Sequence, residues 1–203
     1  MTAPVPPVWE GASAPRVSLV TMGCAKNEVD SAAMARALAE AGYQVDAPAD
    51  KADVIIVNTC SFIQSATEES LEAIFEAASL PLVAAGRASV VVAGCMPARY
   101  GDDLEGELTE AAAFVPCSKE DDIVAVLGSL TGFELTAGEP AGIALEPAGS
   151  TVPGEGSTFA YVKISDGCDR LCSYCTIPAI RGRYHSFPFD TIRADVAREV
   201  DRG

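Results

Sequence analysis

An α/β fold built on a parallel sheet is predicted by three observations. From Arg16 onward, short β-branched runs alternate with longer segments of helical period. The chain is 49% hydrophobic and only 21% charged, as expected of a protein that buries a sizeable core. Its 203 residues suffice for one good-sized domain, or for one domain and part of another.

The elements follow in order. Val17 to Met22 (VSLVTM) predicts a first strand, and Val29, Ala33, Ala37 and Ala41 recur at helical spacing over Glu28 to Ala41, with Gly42 ending that helix. Tyr43 to Val45 adds a short strand. Val54 to Asn58 (VIIVN) predicts a further strand, followed by a helix over Glu68 to Ala78 whose apolar face is Leu71, Ile74, Phe75 and Ala78. Val90 to Ala93 (VVVA) is the next strand. Ala112 to Val115 is the last of the series, and Lys119 to Leu130 forms its helix, with Ile123, Val126, Leu127 and Leu130 on one side. The result is a first domain over 16–130 of the flavodoxin-like class.

Residues 131–156 are rich in Gly, Pro, Glu and Thr and read as a linker, with Ile143 to Leu145 their one apolar patch. A second unit runs over 157–203. In it Phe159 to Ile164 (FAYVKI) alternates like a strand, a cysteine-bearing loop follows, and Thr191 to Val200 reads as a helix. One such βα unit cannot fold alone.

Composition narrows the function. A formal net charge of -15 argues against nucleic-acid binding by this chain, since phosphate contacts need clustered Lys and Arg; a basic protein partner suits it better. The longest apolar region, Leu80 to Ala93, is broken by Gly86 and Arg87 and falls short of the ~18 apolar residues of a membrane span. The proline-bearing N-terminus has no basic segment ahead of an apolar stretch, so the expected location is the cytoplasm. Seven cysteines kept reduced there point to metal or redox chemistry rather than disulfides.

Cys168, Cys172 and Cys175 form C-x3-C-x2-C in DGCDRLCSYCTIPAIRG. Three thiolates this close can wrap one metal centre, and on a four-iron cubane they leave one iron open to a ligand. The alternatives are a zinc knuckle completed by Cys117 or His185, or buried structural cysteines. Cys24, Cys60 and Cys95 each follow a predicted strand, through Gly23, Thr59 and Gly94 respectively. Ligands of open parallel sheets bind beyond the carboxyl ends of strands, so these three can converge on one site; the competing reading is three unrelated core cysteines. Cys117 repeats no ligand spacing and reads as a spare thiol. Lys26, Asn27 and Asn58 lie near the site, where turn and cap duties are the ordinary use of such residues, and no catalytic role is assigned to them. TMGCAKNE lacks the glycine spacing of a phosphate-binding loop.

Four segments carry a family resemblance: GCAKNEVDS around Cys24, IVNTCSFIQSATEES around Cys60, VAGCMPARYGDDL around Cys95, and YVKISDGCDRLCSYCTIPAIRGRYHS. Together they resemble the methylthiotransferases, radical S-adenosylmethionine enzymes with an extra N-terminal cluster domain. The resemblance covers nearly all of Val17 to Arg202; Ala25 departs from the proline or serine expected there. It implies two 4Fe-4S clusters. One, on Cys168, Cys172 and Cys175, would bind S-adenosylmethionine at its open iron and cleave it reductively to a radical. The other, on Cys24, Cys60 and Cys95, would supply the sulfur that is then methylated. Tyr174 holds the aromatic position near the adenine, or is an ordinary packing residue. An external electron donor is implied as a partner.

The motifs are most similar to the type that modifies the β-carbon of an aspartate in a small-subunit ribosomal protein. The alternatives are the type acting on an adenosine of transfer RNA and a non-enzymatic iron-sulfur module. In the family a radical-enzyme (β/α) barrel follows the first domain, and 157–203 provides only its beginning, far below the ~200 residues of a small barrel. The expectation is therefore a truncated chain.

Overall fold

The computed structural model describes residues 13–133 and 159–202. The first of these segments folds around a five-stranded, wholly parallel sheet. Its elements are β1 (Arg16–Thr21), α1 (Ala25–Glu40), β2 (Gln44–Val45), β3 (Val54–Thr59), α2 (Gln64–Ser79), α3 (Pro81–Ala84), β4 (Ser89–Gly94), α4 (Cys95–Glu107), β5 (Ala111–Pro116) and α5 (Ile123–Thr131). The strand order is β2-β1-β3-β4-β5, the doubly wound flavodoxin-like order.

The β-branched runs become strands because both of their faces are covered. In β3 and β4 every residue is buried. Val54 and Ile56 pack with Met34 and Leu38 of α1 and Ile123 and Leu127 of α5, whereas Ile55 and Val57 face Ile74 and Ala77 of α2 and Met96 of α4. This period of two turns one apolar run into two cores. The sheet reverses winding between β1 and β3, the switch point where ligands of this fold class bind.

The strands predicted within residues 16–130 all form, and Gly42, at φ +93°, ends α1 as expected. Three features differ from expectation. Helix α4 is hidden in the sequence by Pro97, Gly101 and Gly106; its backbone kinks at Gly101, where φ is +51°. The predicted strand over Phe159–Ile164 does not form. Among the described residues, the pairing in this region is a short antiparallel bridge of β6 (Ser165–Asp166) with β7 (His185–Ser186), while Lys163 turns inward to an ion pair with Asp30. An alternating run with no neighbouring strand has no ladder to join. Beyond it lie α6 (Ile177–Arg181) and α7 (Phe189–Arg202), the latter longer than the predicted Thr191–Val200. Most of the predicted linker, with Ile143 to Leu145, lies outside the described residues. Among the described residues no helix is long and apolar enough to cross a membrane.

Candidate functional site

Three loops at the carboxyl end of the sheet carry Cys24, Cys60 and Cys95. Cys24 caps the start of α1 and is exposed; Cys60, just past β3, and Cys95, opening α4, are buried. The turns before Cys24 and Cys95 are glycine turns of necessity. Gly23 has φ +90°, and a Cβ there would lie 2.7 Å from Cys60 Sγ. Gly94 has φ +92°, and a Cβ would meet the Asn58 side-chain oxygen and sit 2.7 Å from the Thr59 carbonyl oxygen. The backbone is thus drawn tightly around the sulfurs.

Asn27, fully buried in the first turn of α1, organises the loops. Its Nδ2 donates to Met22 O at 3.0 Å and to Thr59 O at 2.8 Å, tying the ends of β1 and β3 together. Its Oδ1 then faces Cys95 Sγ at 3.7 Å and Cys24 Sγ at 4.0 Å. Cys60 is held through its backbone: its N–H donates to Ser70 Oγ at 3.0 Å, and the Ser70 hydroxyl donates back to Cys60 O at 2.9 Å. Thr59 Oγ1 donates to Ala93 O at 2.6 Å and accepts from Met96 N at 3.2 Å, and Arg99 donates to Ser61 O. Asn58 Nδ2 reaches Asn27 O and Ser31 Oγ. Asn27 and Asn58 therefore shape the site rather than serve as mere turn residues.

The second cysteine loop docks beside the first. Cys168 N donates to Gly182 O and Cys175 N to Cys172 O, each at 3.1 Å, so the loop closes on itself. Cys172 is exposed, and Cys168 and Cys175 are half-buried. Tyr174 is 86% exposed. The loop continues into α6, which delivers Arg181 into the first domain. Arg181 Nη1 donates to Asp30 Oδ2 at 2.8 Å and Asp166 Oδ2 at 3.1 Å, and its Nη2 donates to Asn27 Oδ1 at 2.8 Å and faces Cys95 Sγ at 3.6 Å. Lys163 pairs with Asp30 at 2.6 Å and Asp166 at 2.8 Å, and Lys26 with Asp166 at 2.9 Å.

These contacts set the charge states. Burial alone would raise the Asp166 carboxyl, but hydrogen bonds from Lys163, Lys26 and the Gly167 N–H hold it well below the usual carboxylate range. Burial pushes the Cys60 thiol up. The Cys95 thiol is drawn down by the neighbouring Cys117 thiol and, against burial, by Arg181. Cys117 has one S–H to give, and Ile180 O competes for it at 3.2 Å, which leaves Arg181 as the dependable donor toward Cys95. Cys117, expected to be a spare thiol, in fact joins β5 to α6 next to a site cysteine.

The cysteines present offer a donor set suited to iron-sulfur clusters: two groups of three free thiols, each in a glycine-turned loop. Among the described residues no three His, Cys, Asp or Glu crowd one point as ligands of a single metal ion would. Cubane ligands need not do so, because each cysteine binds a different iron. Sequence reasoning missed Arg181, Asp30, Lys163 and Asp166. The available signal was Asp30 itself, an acid lying on the same helical stripe as Met34 and Leu38.

Residues 16–116 match the family described as "Uncharacterized protein family UPF0004". Among curated proteins, this chain is 39% identical over 191 residues to "Ribosomal protein uS12 methylthiotransferase RimO" of Anaeromyxobacter sp. (strain Fw109-5), an alignment covering 93% of this chain and 40% of that protein. It is 40% identical over 188 residues to the protein of the same name from Symbiobacterium thermophilum, covering 91% and 38%. To that of Moorella thermoacetica it is 36% identical over 188 residues, covering 93% and 43%. The chain thus spans about two-fifths of the length of these relatives.

Proposed function

We propose, from the premise that this chain belongs to the methylthiotransferase family of those relatives, that it is part of a radical S-adenosylmethionine enzyme. The enzyme adds a methylthio group to the β-carbon of an aspartate in a small-subunit ribosomal protein, in the cytoplasm, and draws electrons from an external donor. The observation that carries this reading is the gathering of Cys24, Cys60 and Cys95 at three strand ends about Asn27, beside the loop of Cys168, Cys172 and Cys175.

Each triad would hold one 4Fe-4S cluster. When bound, the cluster on the C-x3-C-x2-C loop supplies reductive cleavage of S-adenosylmethionine, which activates an inert C–H bond, and the cluster at the strand ends supplies sulfur. The chain's own residues do the positioning. Ser70 fixes the Cys60 loop from both backbone sides, and Asn27 sets the spacing of the Cys24 and Cys95 loops. Cys95 and Cys60, 5% and 6% exposed, would shield a bound cluster from water on their side, while exposed Cys24 would leave its side open to a reactant. Tyr174, on the open rim beside Cys175, is available to stack against the adenine of S-adenosylmethionine.

The decisive experiment is iron and acid-labile sulfide per chain after anaerobic reconstitution, repeated on a Cys24→Ala, Cys60→Ala, Cys95→Ala triple variant. About eight irons falling to about four is the expected result. About four irons unmoved by the triple substitution would sink the two-cluster reading.

A further inference from the structure

The ion network between the two segments does not balance. Among the described ion pairs, Lys26, Lys163 and Arg181 share the carboxylates of Asp30 and Asp166, three cations against two anions. Arg181 is the most enclosed of the three, with its side chain 2% exposed. A buried guanidinium is retained only where its charge and its N–H groups are met. The Nη1 edge is satisfied by Asp30 and Asp166; the Nη2 edge is turned to Asn27 Oδ1 and Cys95 Sγ. On that Nη2 edge the group able to carry negative charge is the Cys95 sulfur, at 3.6 Å.

We propose that Arg181, carried on the helix that follows the second cysteine triad, is a positioning residue that donates to the Cys95 sulfur and raises the reduction potential of the cluster on Cys24, Cys60 and Cys95. This rests on the cluster reading given above. A donor and positive charge at a ligand sulfur stabilise the reduced, more negative cluster, so the potential is set from outside the domain that binds it. The same guanidinium pins Asn27 Oδ1, and Asn27 ties the β1 and β3 ends. One residue of the radical-enzyme segment therefore fixes both the geometry and the electronics of the strand-end site. Lysine cannot replace it fully, because the three acceptors and the sulfur need a planar fork.

The test uses the chain with Cys168, Cys172 and Cys175 changed to Ser, reconstituted anaerobically so that the strand-end cluster alone is titrated. Its midpoint potential is followed by electron paramagnetic resonance and compared with that of Arg181→Met, Arg181→Lys and Lys163→Met on the same background. Lys163 belongs to the same network but faces Asp30 and Asp166, so Lys163→Met reports the cost of disturbing the network alone. A shift to more negative potential, largest for Arg181→Met and intermediate for Arg181→Lys, is expected. A potential unchanged in Arg181→Met, or moved no further than in Lys163→Met, overturns the assignment. If Arg181→Met does not fold, Arg181→Lys decides, a potential equal to the parent's being the overturning result. A parent that binds no iron sinks the cluster reading itself, and this inference with it.

Discussion

Single residues at the strand ends bear constraints far beyond their size. Gly94 combines φ +92° with ψ -139°, a region open in practice to glycine alone, and a Cβ there would also press on Asn58 and Thr59. Gly94→Ala is expected to cost more than about 2 kcal/mol in urea unfolding and to lower iron retention with it. Glu120 gives a second prediction. Its Oε1 is buried without a hydrogen-bond partner, and burial, with the charge of Asp30, pushes the carboxyl up to about 8 against the pull of Lys163 and Arg181. A folded-state pKa above the unfolded value of about 4.3 means that the stability tied to the neutral form is full below about pH 4 and is lost as pH rises toward 8. Glu120→Gln should therefore be the more stable protein at about pH 8, by on the order of 2 kcal/mol, with most of that gain gone at about pH 5. Equal gains at both pH values would contradict the burial argument. At this scale the placing of Cys24, Cys60 and Cys95 at strand ends was legible, but the side chains that surround them were not. Arg181 and Asp30 are separated by most of the chain, and an ion pair leaves no periodic mark on either segment.

Elements were legible in proportion to how one-sided their burial is. VIIVN and VVVA admit no reading but a strand covered on both faces, and the stripe of Leu71, Ile74, Phe75 and Ala78 announces α2, although Phe75 points to solvent at 48% exposure and Ala77 joins Ile74 in the core. Ile56, with no exposed surface, should cost about 2–5 kcal/mol when cut to Ala, and denaturant unfolding of Ile56→Ala checks this. Helix α4 escaped notice because Pro97 sits in its first turn, where proline is tolerated, and glycines interrupt the rest. FAYVKI failed in the opposite sense: its alternation is real, but Lys163 is committed to Asp30 and Asp166, and among the described residues the segment pairs with no strand. Ser70 shows how an element serves the site. It projects from α2 to hold both backbone groups of Cys60, and Ser70→Ala leaves a buried N–H and C=O without that partner. A loss of about 1–3 kcal/mol is expected, with Cys60 becoming alkylated faster than Cys95 in the metal-free chain.

For the molecule as a whole, the sheet domain and the segment beginning at Phe159 are joined through a buried knot of charge, beside which Ile180 of α6 is also buried. Asp30 accepts from both Lys163 and Arg181, so Asp30→Asn removes the anion shared by two cations. Breaking a buried pair in this way costs about 3–5 kcal/mol. Hydrogen exchange should accelerate over 159–202 while the sheet core at Ile55 to Val57 stays protected; uniform acceleration would mean the two segments unfold as one unit. The flavodoxin-like topology was legible because each of its strands is marked locally, whereas the docking of the two segments was not, since it resides in tertiary charge pairing.

The placing of Cys24, Cys60 and Cys95 after β1, β3 and β4 has a consequence for biogenesis. Whole βα units separate these thiols along the chain, so they become neighbours only after two parallel crossovers have closed, a slow, non-local event. A chain emerging from the ribosome presents them as scattered single cysteines, and Arg181 arrives last of all. A metal centre at these three thiols, as proposed above, would therefore have to be assembled on a finished sheet rather than on a nascent peptide.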